Sequence, residues 1–208
     1  WAALELAVAR TAREMKSQDV ANVVFVYAKL ERAPPGPATW GALELAVARV
    51  ARELKPDELA NTAWAFGKMG KTPEPETWAA LELAVARVAH EMTPQQVVNA
   101  MHAFGKLERA PGAETWAALE LAVARTAPEM EPQHVSNIVW TYATLNLSPR
   151  AETWAALDAA TARVAPAMNP QAISNTVWAC ASLFVLRGVQ LPSSYAAVWD
   201  RINTSMDA

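Results

Sequence analysis

The sequence WAALELAVAR at residues 1–10 decides the fold, because it returns along the chain. Close copies begin at Trp40, Trp78 and Trp116, and a weaker copy begins at Trp154. The starts lie 39, 38, 38 and 38 residues apart. A fixed period of this length is typical of repeat proteins, in which each unit packs only on its neighbours.

Apolar residues in the second unit predict a first helix, helix A, with one buried face. Leu43, Val47, Val50 and Leu54 recur there at helical spacing. Thr39 stands at the start of the pattern. We expect Thr39 to cap the helix, because a threonine hydroxyl accepts hydrogen bonds from the backbone of a first turn.

A second helix, helix B, is predicted to follow each helix A after a short break. Proline suits the first turn of a helix, because its missing N–H has no partner there in any case. Four units place a proline at this point, namely Pro56, Pro94, Pro132 and Pro170. Thr93 and Asn169 precede two of these prolines and are predicted caps. The inner face in the second unit is predicted to hold Leu59, Ala63, Phe66 and Met69.

These patterns predict an all-α fold, a solenoid of five tandem helix-turn-helix units. Alternating β-branched runs bounded by turn residues, which would indicate strands, do not occur in the sequence. The predicted units cover residues 1–39, 40–77, 78–115, 116–153 and 154–191 of a single domain. Residues 192–208 are predicted to form one more helix that caps the end of the stack.

Composition and charge exclude several classes of protein. The formal charge is −3, from 18 basic and 21 acidic residues, so no overall positive field attracts a nucleic acid or an anionic membrane. Any contact with a polyanion must therefore use a local stripe. The single cysteine, Cys180, excludes an internal disulfide. No apolar run approaches the roughly 20 residues of a membrane span, and no membrane contact is expected.

A second stripe on helix B lies well away from the predicted core. Its members share one face because they stand three and then four residues apart. The first column is an asparagine in every unit: Asn22, Asn61, Asn99, Asn137 and Asn175. The second column is a ring: Phe25, Trp64, His102, Trp140 and Trp178. The third column is a lysine in three units: Lys29, Lys68 and Lys106.

Two interpretations of this stripe stay open. An amide, a flat ring and a cation on one face can hydrogen-bond a base edge, stack on a base and neutralise a phosphate, as single strands require. The rings can instead fill the contact between units, where burial of apolar area stabilises the stack. In that case the asparagines bond backbone groups that would be costly to bury without a partner.

Helix A carries one arginine per unit, roughly opposite its apolar face: Arg10, Arg49, Arg87, Arg125 and Arg163. Because stacked helices stand about 8 to 10 Å apart, these residues predict a ladder that can follow a sugar-phosphate backbone. The alternative is a surface ion pair with the glutamate four residues on, at Glu14, Glu53, Glu91 and Glu129. A neighbouring column varies between units, with Arg13, Arg52 and His90 in the first three. Selectivity for a base can reside there.

The repeat resembles that of octotricopeptide repeat proteins. The resemblance rests on the 38-residue period, on PEPETWAALELA at residues 73–84, and on the helix B signature NTAWAFGKMG at residues 61–70. Related signatures, SNIVWTYATL at residues 136–145 and NTVWACASL at residues 175–183, extend it to later units. The resemblance implies an RNA-binding α-solenoid that acts in chloroplasts or mitochondria on the maturation, stability or translation of particular transcripts.

Catalysis is not expected, and no cofactor or metal is predicted. His90, His102 and His134 fall at unmatched positions in three units, so they form no ligand set with Cys180. A glycine-rich phosphate loop is absent from the sequence as well. The predicted partner is single-stranded RNA from an organellar transcript, with proteins as further partners. The alternative function is a protein-interaction scaffold of the same shape, in which the helix B stripe holds a peptide.

Overall fold

The polypeptide forms a stack of α-helices in a computed structural model that describes residues 2–30 and 36–187. The described helices are α1 (Ala2–Thr11), α2 (Ser17–Lys29), α3 (Pro37–Val50), α4 (Pro56–Met69), α5 (Pro75–Val88), α6 (Pro94–Lys106), α7 (Ala113–Thr126), α8 (Pro132–Thr144), α9 (Ala151–Val164) and α10 (Pro170–Arg187). The odd-numbered helices are A helices and the even-numbered ones are B helices. No strand occurs in the described ranges, so the predicted all-α solenoid is confirmed. The helix predicted for residues 192–208 lies outside the described residues.

A single turn of 3-10 helix ends each A helix before the chain turns into the B helix. These turns are Ala12–Glu14, Ala51–Glu53, Ala89–Glu91, Ala127–Glu129 and Ala165–Ala167. The apolar face predicted for helix A is confirmed, because Leu43, Val47, Val50 and Leu54 are fully buried. The core is thus continuous along the stack, as a repeat of this kind requires.

The tryptophan at the start of helix A joins the two helices of one unit. Trp40 meets Phe66 with its ring centroid 5.2 Å away, and Trp78 meets Phe104 at the same distance. Both pairs are edge-to-face, at interplanar angles of 71° and 83°. This is a favoured arrangement, because the positive edge of one ring meets the negative face of the other. The signature tryptophan is therefore a packing residue within the hairpin.

The predicted starts of the B helices are confirmed. Each of the four prolines occupies the first helical position. The hydroxyl of Thr93 accepts a hydrogen bond from the N–H of Gln96 at 3.4 Å. The side-chain oxygen of Asn169 accepts one from the N–H of Ala172 at 2.8 Å. These side-chain oxygens accept hydrogen bonds from N–H groups of the first turn, which have no carbonyl partner within the helix.

The prediction that Thr39 caps helix A is wrong. Helix α3 begins at Pro37, with Gly36 at the cap position, so Thr39 lies inside the first turn and is buried. Its hydroxyl donates instead to the carbonyl oxygen of Glu5 in the preceding unit, at 3.2 Å. The same bond recurs at every later junction: Thr77 to Glu44 at 3.4 Å, Thr115 to Glu82 at 3.1 Å and Thr153 to Glu120 at 3.4 Å.

A buried carboxylate strengthens the same junction. Oε1 of Glu120 accepts a hydrogen bond from the backbone N–H of Arg150 at 2.8 Å, and Arg150 is the cap residue of α9. Tyr142 donates its hydroxyl to the same oxygen at 3.2 Å, and its pKa is raised well above the usual value, chiefly because the group is buried. Glu44 likewise accepts from the N–H of Glu74, the cap residue of α5. One unit thus caps the A helix of the next.

Consecutive B helices pack more closely on each other than consecutive A helices do. A Cβ atom on Gly67 of α4 would lie only 2.9 Å from the Cα of Ala103 on α6, so this contact requires glycine. The A helices leave more room between them. A groove of about 860 Å³ lies between α3 and α5, where Gly41 and Leu45 line one wall.

Candidate nucleic-acid interface

The three columns predicted on helix B form one line along the outer surface of the B helices. The three lysines are exposed, and the asparagines and rings are half-buried apart from Asn22 and Trp178, which are exposed. In the three central B helices, α4, α6 and α8, residues on either side of this line are mostly buried, so only a narrow strip of each meets solvent. We call this line of asparagines, rings and lysines the B stripe.

The rings of the B stripe contact each other across the junction between units. The centroids of Phe25 and Trp64 lie 5.4 Å apart, and those of His102 and Trp140 lie 5.2 Å apart. Both pairs are tilted, at interplanar angles of 44° and 47°. The rings therefore contribute to unit packing, and they keep a partly exposed surface as well.

Two lysines lie over rings of the stripe. The ammonium of Lys106 stands 5.0 Å from the centroid of Trp140 in the following unit, and that of Lys29 stands 5.6 Å from the centroid of Phe25. A cation over a ring face is attracted by the electron density of that face. Charge and ring thus lie side by side on one surface.

Two of the asparagines are held by glutamines one turn earlier. Gln95 donates from its side-chain nitrogen to Oδ1 of Asn99 at 2.8 Å, and Gln133 does the same to Asn137 at 2.9 Å. A bond to neighbouring backbone was the alternative role, and these two asparagines bond a side chain instead. Each amide is therefore oriented, with its oxygen toward the glutamine and its nitrogen away from it.

His134 bonds one of these amide pairs from the following unit. Its Nδ1 accepts a hydrogen bond from the N–H of Glu131 at 3.2 Å, which leaves Nε2 as the protonated nitrogen. Nε2 then donates to Oε1 of Gln95 at 2.9 Å. Burial lowers the pKa of His134, against a smaller opposing effect of Glu131, and this favours the neutral ring. A chain of side-chain hydrogen bonds therefore runs from His134 through Gln95 to Asn99.

His102 is a neutral ring at physiological pH. Burial, with a further contribution from the charge of Lys106, lowers its pKa to about 4. Its Nδ1 is buried without a hydrogen-bond partner, and so is the hydroxyl of Thr144. His102 can therefore stack as an aromatic ring in the stripe, and it brings no positive charge there.

The arginine ladder connects consecutive units. Nη2 of Arg49 donates to the carbonyl oxygen of Met15 at 2.6 Å, and Nη2 of Arg87 donates to that of Leu54 at 2.6 Å. Arg125 and Arg163 make the equivalent bonds to the carbonyl oxygens of Met92 and Met130, at 2.6 and 2.7 Å. Arg10 is exposed in the last turn of α1. These bonds to backbone replace the ion pairs with glutamate that were the sequence-based alternative.

The variable column beside the ladder is exposed and lies in the 3-10 turns. Arg13 forms an ion pair with Glu14 at 3.3 Å, and His90 lies 3.3 Å from Glu91. Arg52 is exposed in the equivalent turn. The structure thus places these residues in the turns that end the A helices, whereas the B stripe runs along the B helices.

Sequence reasoning missed the glutamines that orient the asparagines and the partners of the threonines and arginines. The glutamines had a signal, because Gln18, Gln95, Gln133 and Gln171 recur four residues before the asparagine. The carbonyl groups that bond the threonines and arginines had no such signal in the sequence. Each of them lies in the preceding unit, and no pattern within one unit points to it.

The family of the chain follows from a match over most of its length. Residues 3–184 match the family described as Tbc2 translation factor, N-terminal domain. The chain belongs to this Tbc2 N-terminal domain family. The match runs from α1 to α10, so the whole described stack is the Tbc2 domain. The narrower assignment to octotricopeptide repeats stays a prediction.

Other comparisons add little to the Tbc2 match. A designed armadillo repeat protein, solved in complex with the peptide (KR)4, is 13% identical over 96% of this chain and 90% of that chain, with a TM-score of 0.32. A score this low supports no conclusion, so the fold of the Tbc2 domain rests on its own helices. No curated protein matches the sequence.

Neither a membrane-spanning helix nor a metal site occurs in the described part of the Tbc2 domain. Within residues 2–30 and 36–187, no helix is long and apolar enough to cross a membrane. In the same ranges, no three side chains from histidine, cysteine, aspartate or glutamate come together as a metal site. Cys180 is buried, and burial raises the pKa of its thiol to about 12, so it is not a reactive thiolate.

Proposed function

We propose that this Tbc2 domain is the RNA-binding segment of a translation regulator, and that single-stranded RNA lies along the B stripe. The observation that carries the proposal is the stripe itself, in which every described B helix presents an amide and a ring on one partly exposed line. Helical-repeat RNA readers bind one base per repeat with a few side chains. Five units would then span about five nucleotides.

Each column has a separate part in this proposal. The oriented amides of Asn99 and Asn137 present a nitrogen that can donate to a base edge. The rings offer a partly exposed face for stacking, most of all Trp178, which is 49% exposed. Lys29 and Lys106 lie over rings, where a phosphate next to a stacked base would pass.

Phosphates are assigned to the lysines of the stripe rather than to the arginine ladder. Four of the five arginines already use Nη2 to hold a backbone carbonyl of the preceding unit. The ladder also lies on the A helices, away from the rings on which bases would stack. The two assignments differ in salt dependence, because each phosphate contact on a single strand contributes a slope of about −0.7 in log K against log[salt].

The biological role in the proposal follows from the family and from the resemblance. A translation-factor domain that resembles octotricopeptide repeats would act after transcription in a chloroplast or mitochondrion, on the maturation, stability or translation of particular transcripts. The domain would bind RNA without catalysis, cofactor or metal. Protein partners would be recruited by other surfaces.

The test is binding of the 208-residue chain to a labelled pool of short single-stranded RNA of random sequence, by fluorescence anisotropy across a range of salt. Three lysine contacts predict a slope near −2, whereas five arginine contacts predict about −3.5. The variant Lys29→Ala/Lys68→Ala/Lys106→Ala should lose most of the binding and most of the salt dependence.

A charge-matched control is Lys16→Ala/Lys55→Ala/Lys71→Ala, which removes the same charge outside the stripe. Equal loss in both variants would show that only net charge matters, and would overturn the assignment to the stripe. If the folded wild type does not bind RNA even at low salt, the RNA proposal fails, and a protein-interaction scaffold becomes the better account.

A further inference from the structure

A ladder of leucines is exposed on the A helices. Leu6, Leu45, Leu83 and Leu121 occupy the same position in four units, and between 58% and 73% of each is exposed. Single exposed leucines are ordinary, but a row of them at one angle of consecutive stacked helices forms a continuous apolar strip. The RNA proposal does not use this surface, which belongs to helix A.

Charges flank the strip on both sides, in the first and last turns of α5 and α7. On α5, Glu76 in the first turn, Leu83 and Arg87 in the last turn stand 7 and 4 residues apart, so they follow one line along the exposed face. Helix α7 repeats the line with Glu114, Leu121 and Arg125. The surface is thus acidic at one end, apolar in the middle and basic at the other end.

We infer that this face pairs with the same face of a second copy, with the A helices of the two copies antiparallel. A two-fold axis that runs along the stack, perpendicular to the A helices, lays each A helix on the same helix of the second copy. It brings Glu76 opposite Arg87 of the second copy, and Glu114 opposite Arg125 of the second copy. In this register Leu83 lies over the small Ala80 of the second copy. Acidic ends meet basic ends, and each leucine meets an alanine.

The outer A helices extend the same register. Arg163 on α9 comes opposite Glu152 of the second copy, which adds a third charge pair. Leu45 lies at the groove between α3 and α5, and the space next to it is open because a Cβ atom at Gly41 would contact nothing within 4 Å. The groove can therefore receive the side chain of Leu45 from the second copy.

The charges on this face of the A helices favour a protein partner over RNA. A phosphate backbone that followed the arginines would pass the exposed glutamates of the same line, and like charges repel. A second copy satisfies both signs at once. Each A helix of 14 residues is about 21 Å long, and stacked helices stand about 10 Å apart, so two to four helices offer about 400 to 800 Å² per copy. That area lies between a weak contact and an interface of standard size.

Sedimentation velocity of the 208-residue chain without RNA tests this inference. We expect a monomer–dimer equilibrium with a Kd of about 10 µM, as befits an area at the low end. Leu83→Glu/Leu121→Glu should weaken dimerisation at least about tenfold, because it buries charge in the centre of the contact. Val26→Glu, at a residue 46% exposed on α2, is a control for an added charge away from the leucines and should leave the equilibrium unchanged.

The charges are tested by Glu76→Lys/Glu114→Lys, which places lysine opposite arginine. It should weaken the dimer about tenfold and reverse its salt response, whereas Glu53→Lys/Glu129→Lys, off the line, should have little effect. Circular dichroism confirms that the variants are folded. A wild type that stays monomeric up to about 100 µM, or a dimer that neither surface variant weakens, would overturn the inference. RNA binding should be the same in Glu76→Lys/Glu114→Lys as in the charge-matched Glu53→Lys/Glu129→Lys, so the two proposals fail independently.

Discussion

Nη2 of Arg125 donates a 2.6 Å hydrogen bond to the carbonyl oxygen of Met92, which ends the A helix of the preceding unit. The last carbonyl groups of a helix have no partner within the helix, so a donor from the next unit satisfies one of them. A positive charge is also favourable at this end of the helix dipole. The regular arginine column is thus explained by the junction between units, independently of any ligand.

The first prediction concerns this junction. Arg125→Ala should lower the free energy of unfolding by about 1 to 2 kcal/mol, because a hydrogen bond from a charged donor contributes about 1.5 to 3 kcal/mol and this one is partly exposed. Arg52→Ala removes the same charge from an exposed turn and should change stability by less than about 0.5 kcal/mol. Urea unfolding followed by circular dichroism measures both. Equal effects would show that the bond to Met92 contributes nothing.

The second prediction compares two glycines within helices. A Cβ at position 67 would lie 2.9 Å from the backbone of Ala103, so Gly67→Ala must push α4 away from α6 and should cost about 1 to 3 kcal/mol. Gly41→Ala has open space around it and should instead stabilise the protein by about 0.5 to 1 kcal/mol, because alanine favours the helix. Thermal and urea unfolding measure the sign of the change in stability for each variant. Stabilisation by Gly67→Ala would contradict the close packing of the B helices.

The sequence alone was sufficient to predict the described helices and the faces that they bury. The 38-residue period and the helical spacing of residues such as Leu43 and Val47 depend only on one unit, and both predictions agree with the structure. The proline starts and the caps at Thr93 and Asn169 are local as well, since each bond closes within three residues. Local chemistry is what a single sequence reports best.

Contacts between units could not be predicted in the same way. Thr39 has the sequence context of a cap, yet its hydroxyl reaches a carbonyl 34 residues away. Whether Thr39 caps its own helix or joins the preceding one depends on where α1 lies relative to α3, which no helical pattern specifies. The roles of the B stripe in binding are still predictions, because packing and ligand contact require the same residue types.

The third prediction concerns pH. The folded pKa of His102 is lowered to about 4 by burial and by Lys106, whereas an unfolded histidine titrates near 6.5. Between these values the unfolded chain binds a proton that the folded chain does not, so stability must fall as the pH falls from about 6.5 to 4. We expect a loss on the order of 2 kcal/mol that is missing in His102→Phe. Unfolding free energies of both proteins at pH 7, 5.5 and 4 test it, and parallel pH curves would contradict it.

The fourth prediction separates packing from binding within the ring column. Trp178 is 49% exposed, so Trp178→Ala should weaken RNA binding by about 1 to 3 kcal/mol, roughly 5-fold to 150-fold, and should change stability much less. Trp140 contacts the ring of His102, and Trp140→Ala should cost about 3 kcal/mol of stability, because it opens a cavity between two B helices. Anisotropy with the RNA pool and urea unfolding on both variants measure the contrast. If Trp178→Ala binds RNA like the wild type, the rings are packing residues only, and bases do not stack on the B stripe.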